Sequence, residues 1–281
     1  CFMLNDLIHA WLSEDIGEGD HSTLAAINPE ARSTARLLIK ESGIIAGLAV
    51  AKRIYELTDV SSNIQWLKHD GDAIEVGEVA FIIEGNAQNI LSTERLILNC
   101  MQRMSGIATK THALSQQIAH TSTKLLDTRK TTPGFRLLEK EAVRIGGGHN
   151  HRFGLYDMIM LKDNHIDFCG GIQKAVDAVN AYKKAENLPI PVEVEVRNEA
   201  ELLQVIQTQG VNRILLDNFS PEQIKSCISL IPSHFEIEAS GGITEANIVG
   251  FAEAGVHFIS VGALTHHVKS LDLSLKAIIH S

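Results

Sequence analysis

Two hydrophobic periodicities divide the chain. From about residue 105 onward, short runs rich in Val, Ile and Leu recur, and a stretch with apolar positions three and four residues apart separates each from the next. The runs are Lys124–Thr128, Asp157–Leu161, Val192–Val196, Arg213–Asp217, Phe235–Ala239 and His257–Val261; the helical patterns cover 135–145, 172–185, 199–208, 221–230 and 245–254. Six such strands in succession with helical stretches between them predict a parallel sheet with helices outside it. Ser220-Pro221 puts an N-cap residue before a proline at the first helical position, and Asn198 and Thr244 are further N-cap candidates. No G-x-G-x-x-G follows the first run, and polar residues end many different runs, so a (β/α) barrel with fewer than eight regular units is expected rather than a doubly wound sheet.

The first hundred residues have another texture. Leu4 to Leu12 reads as a helix, and Arg36–Lys40, Gly43–Val50, Asn63–Leu67 and Val79–Glu84 read as short strands separated by turns such as His69-Asp-Gly-Asp72. A helix is expected from Thr93, with Leu96, Asn99, Cys100 and Arg103 at helical spacing.

Composition narrows the function classes. The 281 residues are 44% hydrophobic and 21% charged, which is ordinary for a globular protein, and the formal net charge is −9. An acidic chain without a Lys/Arg-rich run is a poor phosphate-backbone binder, so nucleic acid is not the expected partner. Cys1, Cys100, Cys169 and Cys227 are far apart with no metal-ligand spacing, consistent with reduced thiols. The first residues lack the pattern of a secretory signal, and the longest apolar run, Gly43 to Ala51, is far below the ~20 residues of a membrane span, so a cytoplasmic location is expected.

Against that acidic background the segment from Lys124 to His165 carries a local excess of cations. Asp127-Thr-Arg-Lys-Thr-Thr-Pro-Gly134 follows the first barrel run, Gly146-Gly-Gly-His-Asn-His-Arg152 is a glycine-rich loop, and Leu161-Lys-Asp-Asn-His165 ends the next run. In a barrel all three reach one rim, where Arg supplies a planar fork for carboxylate or phosphate and Lys a point charge. The pattern points to a polyanionic substrate. His149 and His151 have no neighbouring carboxylate or thiol, which argues against a zinc site. Glu193, Glu195 and Arg197 share one face of a strand, and Asp217 ends the next. Glu195 and Asp217 form a candidate carboxylate pair with the hard oxygen donors that suit Mg²⁺; the competing reading is a buried Glu paired with a core Lys or Arg. The turns Ser240-Gly-Gly242 and Gly262-Ala-Leu-Thr-His266 follow the last two strands and offer a phosphate cradle.

Taken together, these motifs resemble those of the quinolinate phosphoribosyltransferase family. The resemblance runs from Glu14-Asp-Ile-Gly-Glu-Gly-Asp20 and Asn99-Cys-Met-Gln-Arg-Met-Ser-Gly-Ile-Ala-Thr109 through the loops just named, Glu193-Val-Glu195 and Leu216-Asp-Asn218, to Gly262–His266. It implies an N-terminal α/β sandwich domain (1–108), an open α/β barrel (109–270) and a C-terminal helix (271–281) packing back on the first domain. It also implies a homodimer, with a hexamer as a further assembly, in which Arg103 enters the partner's site. By the matching motifs, Thr128, Arg129, Lys130, His151, Arg152 and Lys162 would bind quinolinate. Glu195 and Asp217 would lie at the ribose and at Mg²⁺, directly or through water, and Ser240, Gly241, Gly242, Gly262 and His266 would hold the 5′-phosphate of phosphoribosyl pyrophosphate. Lys130, Glu195 and Asp217 are the candidates for catalysis. His21, Ser22 and His267 depart from the usual pattern of the family.

The activity implied is phosphoribosyl transfer to the ring nitrogen of quinolinate with loss of CO₂, a step of NAD biosynthesis. Two alternatives compete: a related phosphoribosyltransferase for another aromatic acid, and a barrel aldolase with Lys162 as Schiff base, which needs a desolvated lysine of lowered pKa.

Overall fold

A computed structural model of the chain describes residues 2–278. The chain divides into two compact units that interleave along the sequence. One comprises residues 1–112, 131–147 and 264–281, and the other 113–130 and 148–263.

The first unit is built on an antiparallel sheet. Its strands are β1 (Arg32–Ile39), β3 (Asn63–Trp66) and β5 (Val79–Asn86), accompanied by a two-stranded pair of β2 (Gly43–Ile44) and β4 (Ala73–Ile74). The C-terminal segment closes the larger sheet as a strand, Leu273–Ala277, which pairs antiparallel with β1 in the register Leu37↔Leu275. The helix expected over 271–281 is therefore corrected to a strand for the described part of that segment. Leu271, Leu273 and Leu275 are buried while Asp272 and Lys276 are exposed, and that period of two fits a sheet edge and not a helix face. Residues 279–281 lie outside the described residues.

Two further expectations are overturned in this unit. Gly43–Val50 is a strand only at Gly43–Ile44; Gly47, at φ 97°, turns the chain into a helix over Leu48–Thr58, and the Asp70 carboxylate accepts from the Leu48 and Ala49 amides at its start. The helix expected from Thr93 begins at Ala87 and runs to Gln117. Asn86 Oδ1 accepts from the Asn89 amide at its start, while Thr93 is interior and its hydroxyl donates to the Asn89 carbonyl. At Gly106 this helix packs tightly on the segment at Lys269, since a Cβ there would overlap the Lys269 carbonyl.

The second unit contains β6 (Lys124–Leu126), β7 (Ile159–Leu161), β8 (Val192–Val196), β9 (Arg213–Asp217), β10 (Glu236–Ser240) and β11 (Phe258–Ser260), all parallel, in the order β6-β11-β10-β9-β8-β7. The last strand returns beside the first, as in a barrel, and β6 and β7 are not hydrogen-bonded to each other, so the barrel is open. His149 adds a single parallel bridge to Leu126 on the free side of β6. Val192, Val194, Val196, Ile214, Leu216, Ile237 and Ala239 are buried on one face of the sheet. Glu193, Glu195, Arg213, Asp217, Glu238 and Ser240 occupy the other face, because paired residues of neighbouring parallel strands point the same way. Ser220 and Asn198 cap their helices as expected, Ser220 in a reciprocal box with Gln223. Thr244 does not cap; the last long helix of the unit starts at Ile248, with Asn247 before it. No helix among the described residues is long and apolar enough to cross a membrane.

Candidate active site

The loops at the C-terminal ends of the strands of the second unit gather most of the expected site residues. Asp127 anchors the first of them. Its fully buried carboxylate accepts from the His151 amide (2.8 Å) and from Asn150 Nδ2 (2.6 Å), so the end of β6 is tied to the loop after Gly148. Thr128 Oγ1 accepts from the Lys130 amide (3.0 Å), folding the chain back where Arg129 and Lys130 stand. Arg129 and Arg152 are close enough that the charge of the first, together with burial as the larger cause, lowers the pKa of the second. Two cations from different loops therefore lie within electrostatic range of each other, with Glu193 and Asp157 offsetting part of the repulsion at Arg152. Lys162, at the end of β7, is half exposed and stands 3.7 Å from Glu195 Oε2.

Glu195 and Asp217 lie on the same face of adjacent strands. Burial pushes the Glu195 carboxyl upward, Lys162 opposes this, and the charges of Asp217 and Asp163 add to the rise. Three acidic groups thus crowd within mutual range of one lysine. Lys162 offsets part of this repulsion, and the carboxylate oxygens of Glu195 and Asp217 are hard donors of the kind a divalent cation takes.

One layer deeper is a group of ionisable side chains buried in the barrel. His151 Nε2 is 2.9 Å from Glu193 and 3.4 Å from Glu238, and both glutamates are fully buried. Arg213 Nη1 lies 3.0 Å from Glu238, and its guanidinium sits over the Phe258 ring at 4.0 Å. On His151, burial works against a second proton, but hydrogen bonds to the two carboxylates outweigh it and raise the affinity. The Arg152 amide donates to His151 Nδ1 (2.7 Å) and competes with that proton. The ligand atoms of His151, Glu193 and Glu238 are within 4.8 Å of one another, close enough for a metal ion. Arg213 already balances one carboxylate, so the group is an internal ion network that fastens the His151–Arg152 segment to the barrel floor. Glu195 and Glu193 thus both have cationic neighbours, Lys162 for one and His151 for the other.

The phosphate-cradle candidates end β10 and β11. Gly241 and Gly242 are both left-handed, at φ 93° and 63°, so Ser240-Gly-Gly242 bends sharply. Asn247 fixes the bend from beyond it, accepting from the Thr244 amide and donating to the Gly242 carbonyl. Gly262 stands two residues beyond the end of β11 at Ser260.

Arg103 and His266 belong to the first unit. The Arg103 guanidinium donates to Glu139 Oε1 through Nε (3.2 Å) and Nη2 (3.0 Å), and to the carbonyls of Thr265 and Val268. It thereby holds the segment that carries His266, whose ring contacts that of His267 through their Nδ1 atoms. Glu139 is fully buried and also accepts from the Thr132 amide and hydroxyl. Arg103 also lines a cleft of about 380 Å³ with Trp11, Asn99, Cys100, Thr132 and Phe135.

Asp127, Glu139, Arg213 and Glu238 were not among the residues expected at the site. Alternation in Val192-Glu-Val-Glu-Val196 and Glu236-Ile-Glu238 was the available signal for the buried layer, since it places carboxylates on one strand face.

A parallel open barrel whose rim combines cations, a carboxylate pair and glycine turns is an arrangement that suits an enzyme acting on anionic substrates. The model for the quinolinate phosphoribosyl transferase C-terminal domain matches residues 107–276, and the model for the N-terminal domain matches residues 20–105. The chain is 44% identical to a quinolinate phosphoribosyltransferase [decarboxylating] of Nicotiana tabacum, over 97% of this chain and 82% of that one. It is also 44% identical to a probable nicotinate-nucleotide pyrophosphorylase [carboxylating] of Bacillus subtilis, over 97% and 92%. Among solved structures, NadC from Streptococcus pyogenes superposes with a TM-score of 0.92 at 41% identity, covering 99% of this chain and 98% of that one. The nicotinate-nucleotide pyrophosphorylase from Francisella tularensis does so with 0.90 at 42%, covering 98% and 96%. The chain belongs to the quinolinate phosphoribosyltransferase family.

Proposed function

We propose that this protein transfers the phosphoribosyl group of phosphoribosyl pyrophosphate to the ring nitrogen of quinolinate, giving nicotinate mononucleotide, pyrophosphate and CO₂. The observation that carries the reading is the juxtaposition in one unit of Arg129 with Arg152, and of Lys162 with Glu195 and Asp217. A diacid answers the first group, and a sugar with developing positive charge answers the second.

In this reading Arg129, Lys130, Arg152 and Lys162 neutralise the two quinolinate carboxylates and orient the ring nitrogen toward C1 of the ribose. Thr128 and His151 hold the loops that carry those cations. As the C1–pyrophosphate bond breaks, the carboxylates of Glu195 and Asp217 favour the oxocarbenium-like ribose electrostatically. As CO₂ leaves, the quaternised ring stabilises the electron pair left on its C2, which then takes up a proton from solvent, and no side-chain nucleophile is needed. Ser240, Gly241, Gly242, Gly262 and His266 serve the 5′-phosphate. Mg²⁺ is the cofactor of this reading, held by Glu195 and Asp217 directly or through water, and when bound it supplies charge neutralisation of the pyrophosphate. The active form is a homodimer in which Arg103 serves the partner's quinolinate pocket; its one-quarter exposure, on the wall of a cleft, supports this. A cytoplasmic location fits the three free cysteines among the described residues.

The test is incubation with quinolinate, phosphoribosyl pyrophosphate and Mg²⁺, with nicotinate mononucleotide and CO₂ measured together. Equal amounts of the two products are expected. Turnover of nicotinate instead of quinolinate, or borohydride trapping of a carbonyl compound on Lys162, would overturn the reading.

A further inference from the structure

Asn218 stands between the two halves of the proposed phosphoribosyl pyrophosphate site and touches both. It is one of two non-glycine residues with positive φ among the described residues, at φ 57°, a conformation Asn tolerates better than most residues but which is still strained. Its side-chain amide donates to Asp217 Oδ2 (2.8 Å). Its backbone amide donates to the Ser240 carbonyl (2.9 Å), at the entrance to the glycine turn. A Cβ on Gly241 would overlap Asn218 Oδ1 and come within 2.9 Å of the Asn218 backbone nitrogen. Asn218 is exposed, so burial does not explain why it holds this shape.

These contacts have a directional logic. Asp217 could turn about its side-chain torsions, and repulsion from Glu195 favours turning away. The Asn218 NH₂ fixes one Asp217 oxygen and leaves the other for a ligand. The same side chain packs flat against Gly241, where only glycine fits, so the carboxylate and the turn keep one relative position. The left-handed backbone makes this possible, because it swings the side chain of residue 218 back over residue 217 and across to β10.

We infer that Asn218 is a positioning residue that sets the distance between the Asp217 carboxylate and the Ser240–Gly242 turn, and so measures the span from the pyrophosphate to the 5′-phosphate of the sugar substrate. This rests on the function proposed above and adds to it a group that touches neither substrate.

The test uses Asn218→Gly and Asn218→Asp in the full chain. Glycine keeps the left-handed backbone and removes only the amide. Aspartate keeps the shape and replaces the donating NH₂ with a repelling oxygen. Asn218→Gly should unfold at the wild-type urea midpoint, while its calorimetric Kd for phosphoribosyl pyrophosphate, measured with and without Mg²⁺, rises about tenfold, the worth of one ~1.4 kcal/mol interaction. Its KM for quinolinate should stay within twofold. Asn218→Asp should weaken that binding at least as much. A Kd for Asn218→Gly within twofold of wild type, or equal losses for both substrates with a lowered unfolding midpoint, would overturn the inference. Wild-type protein that neither binds nor turns over these substrates would overturn the functional reading and the inference together, whereas wild-type turnover with an unaltered Asn218→Gly overturns the inference alone.

Discussion

Removing the Arg103 guanidinium should destabilise the protein strongly, because it would leave the buried Glu139 carboxylate without its cationic partner. Glu139 is fully buried, and it accepts from Arg103 Nε and Nη2 and from the amide and hydroxyl of Thr132. Breaking a buried ion pair from one side costs about 3–5 kcal/mol. The two Thr132 hydrogen bonds survive the substitution, which puts Arg103→Met near the lower end, about 3 kcal/mol; methionine keeps most of the apolar stem, so the loss reports the charge. Neutralising the orphaned acid should return part of this. Arg103→Met with Glu139→Gln should be more stable than Arg103→Met alone by about 1–2 kcal/mol, since the Thr132 amide can donate to the glutamine oxygen at the Oε2 position while the Thr132 hydroxyl accepts from its NH₂. Urea unfolding of wild type, both single variants and the double variant closes the cycle, with an unchanged m-value as the check that only stability moved. A loss below about 1 kcal/mol for Arg103→Met would place the pair with ordinary surface salt bridges and refute the reasoning. A double variant no more stable than Arg103→Met would refute it as well.

The other predictions concern chemistry. Arg152→Ala should raise the KM for quinolinate roughly ten- to a hundredfold, the worth of a charge-assisted hydrogen bond to carboxylate, with little change in phosphoribosyl pyrophosphate binding; unchanged quinolinate binding by calorimetry would remove Arg152 from the pocket. Glu195→Gln and Asp217→Asn should each lower activity and shift the Mg²⁺ concentration needed for half-maximal rate upward, and wild-type rates with a wild-type Mg²⁺ response would make both carboxylates structural. Subunits inactive through Arg103→Met and through Lys162→Ala, mixed under exchange, should regain up to about a quarter of wild-type activity if Arg103 serves the partner's site, because each mixed dimer then has one intact site. No recovery, with exchange confirmed by mass labels, would confine Arg103 to its own chain.

The sequence by itself determined the parallel unit almost completely. Its strands and helices carry their own apolar periods, and Ser220-Pro221 and Asn198 mark the helix starts they cap, so local signals and the tertiary fold agree there. The rim chemistry was legible for the same reason, since loops after parallel strands must meet at one end of a barrel. Tertiary structure decided three things. It turned residues 273–277 into a strand, because the free edge of β1 offered backbone partners to a segment whose own pattern is only five residues long. It divided the chain into interleaved units, with residues 131–147 returning to the first, which no local composition marks. It also gave His151 its partners. Nothing near residue 151 in sequence announces Glu193 or Glu238, 42 and 87 positions further on; the parallel sheet, in which β8 and β10 flank β9, brings the two buried carboxylates to one imidazole.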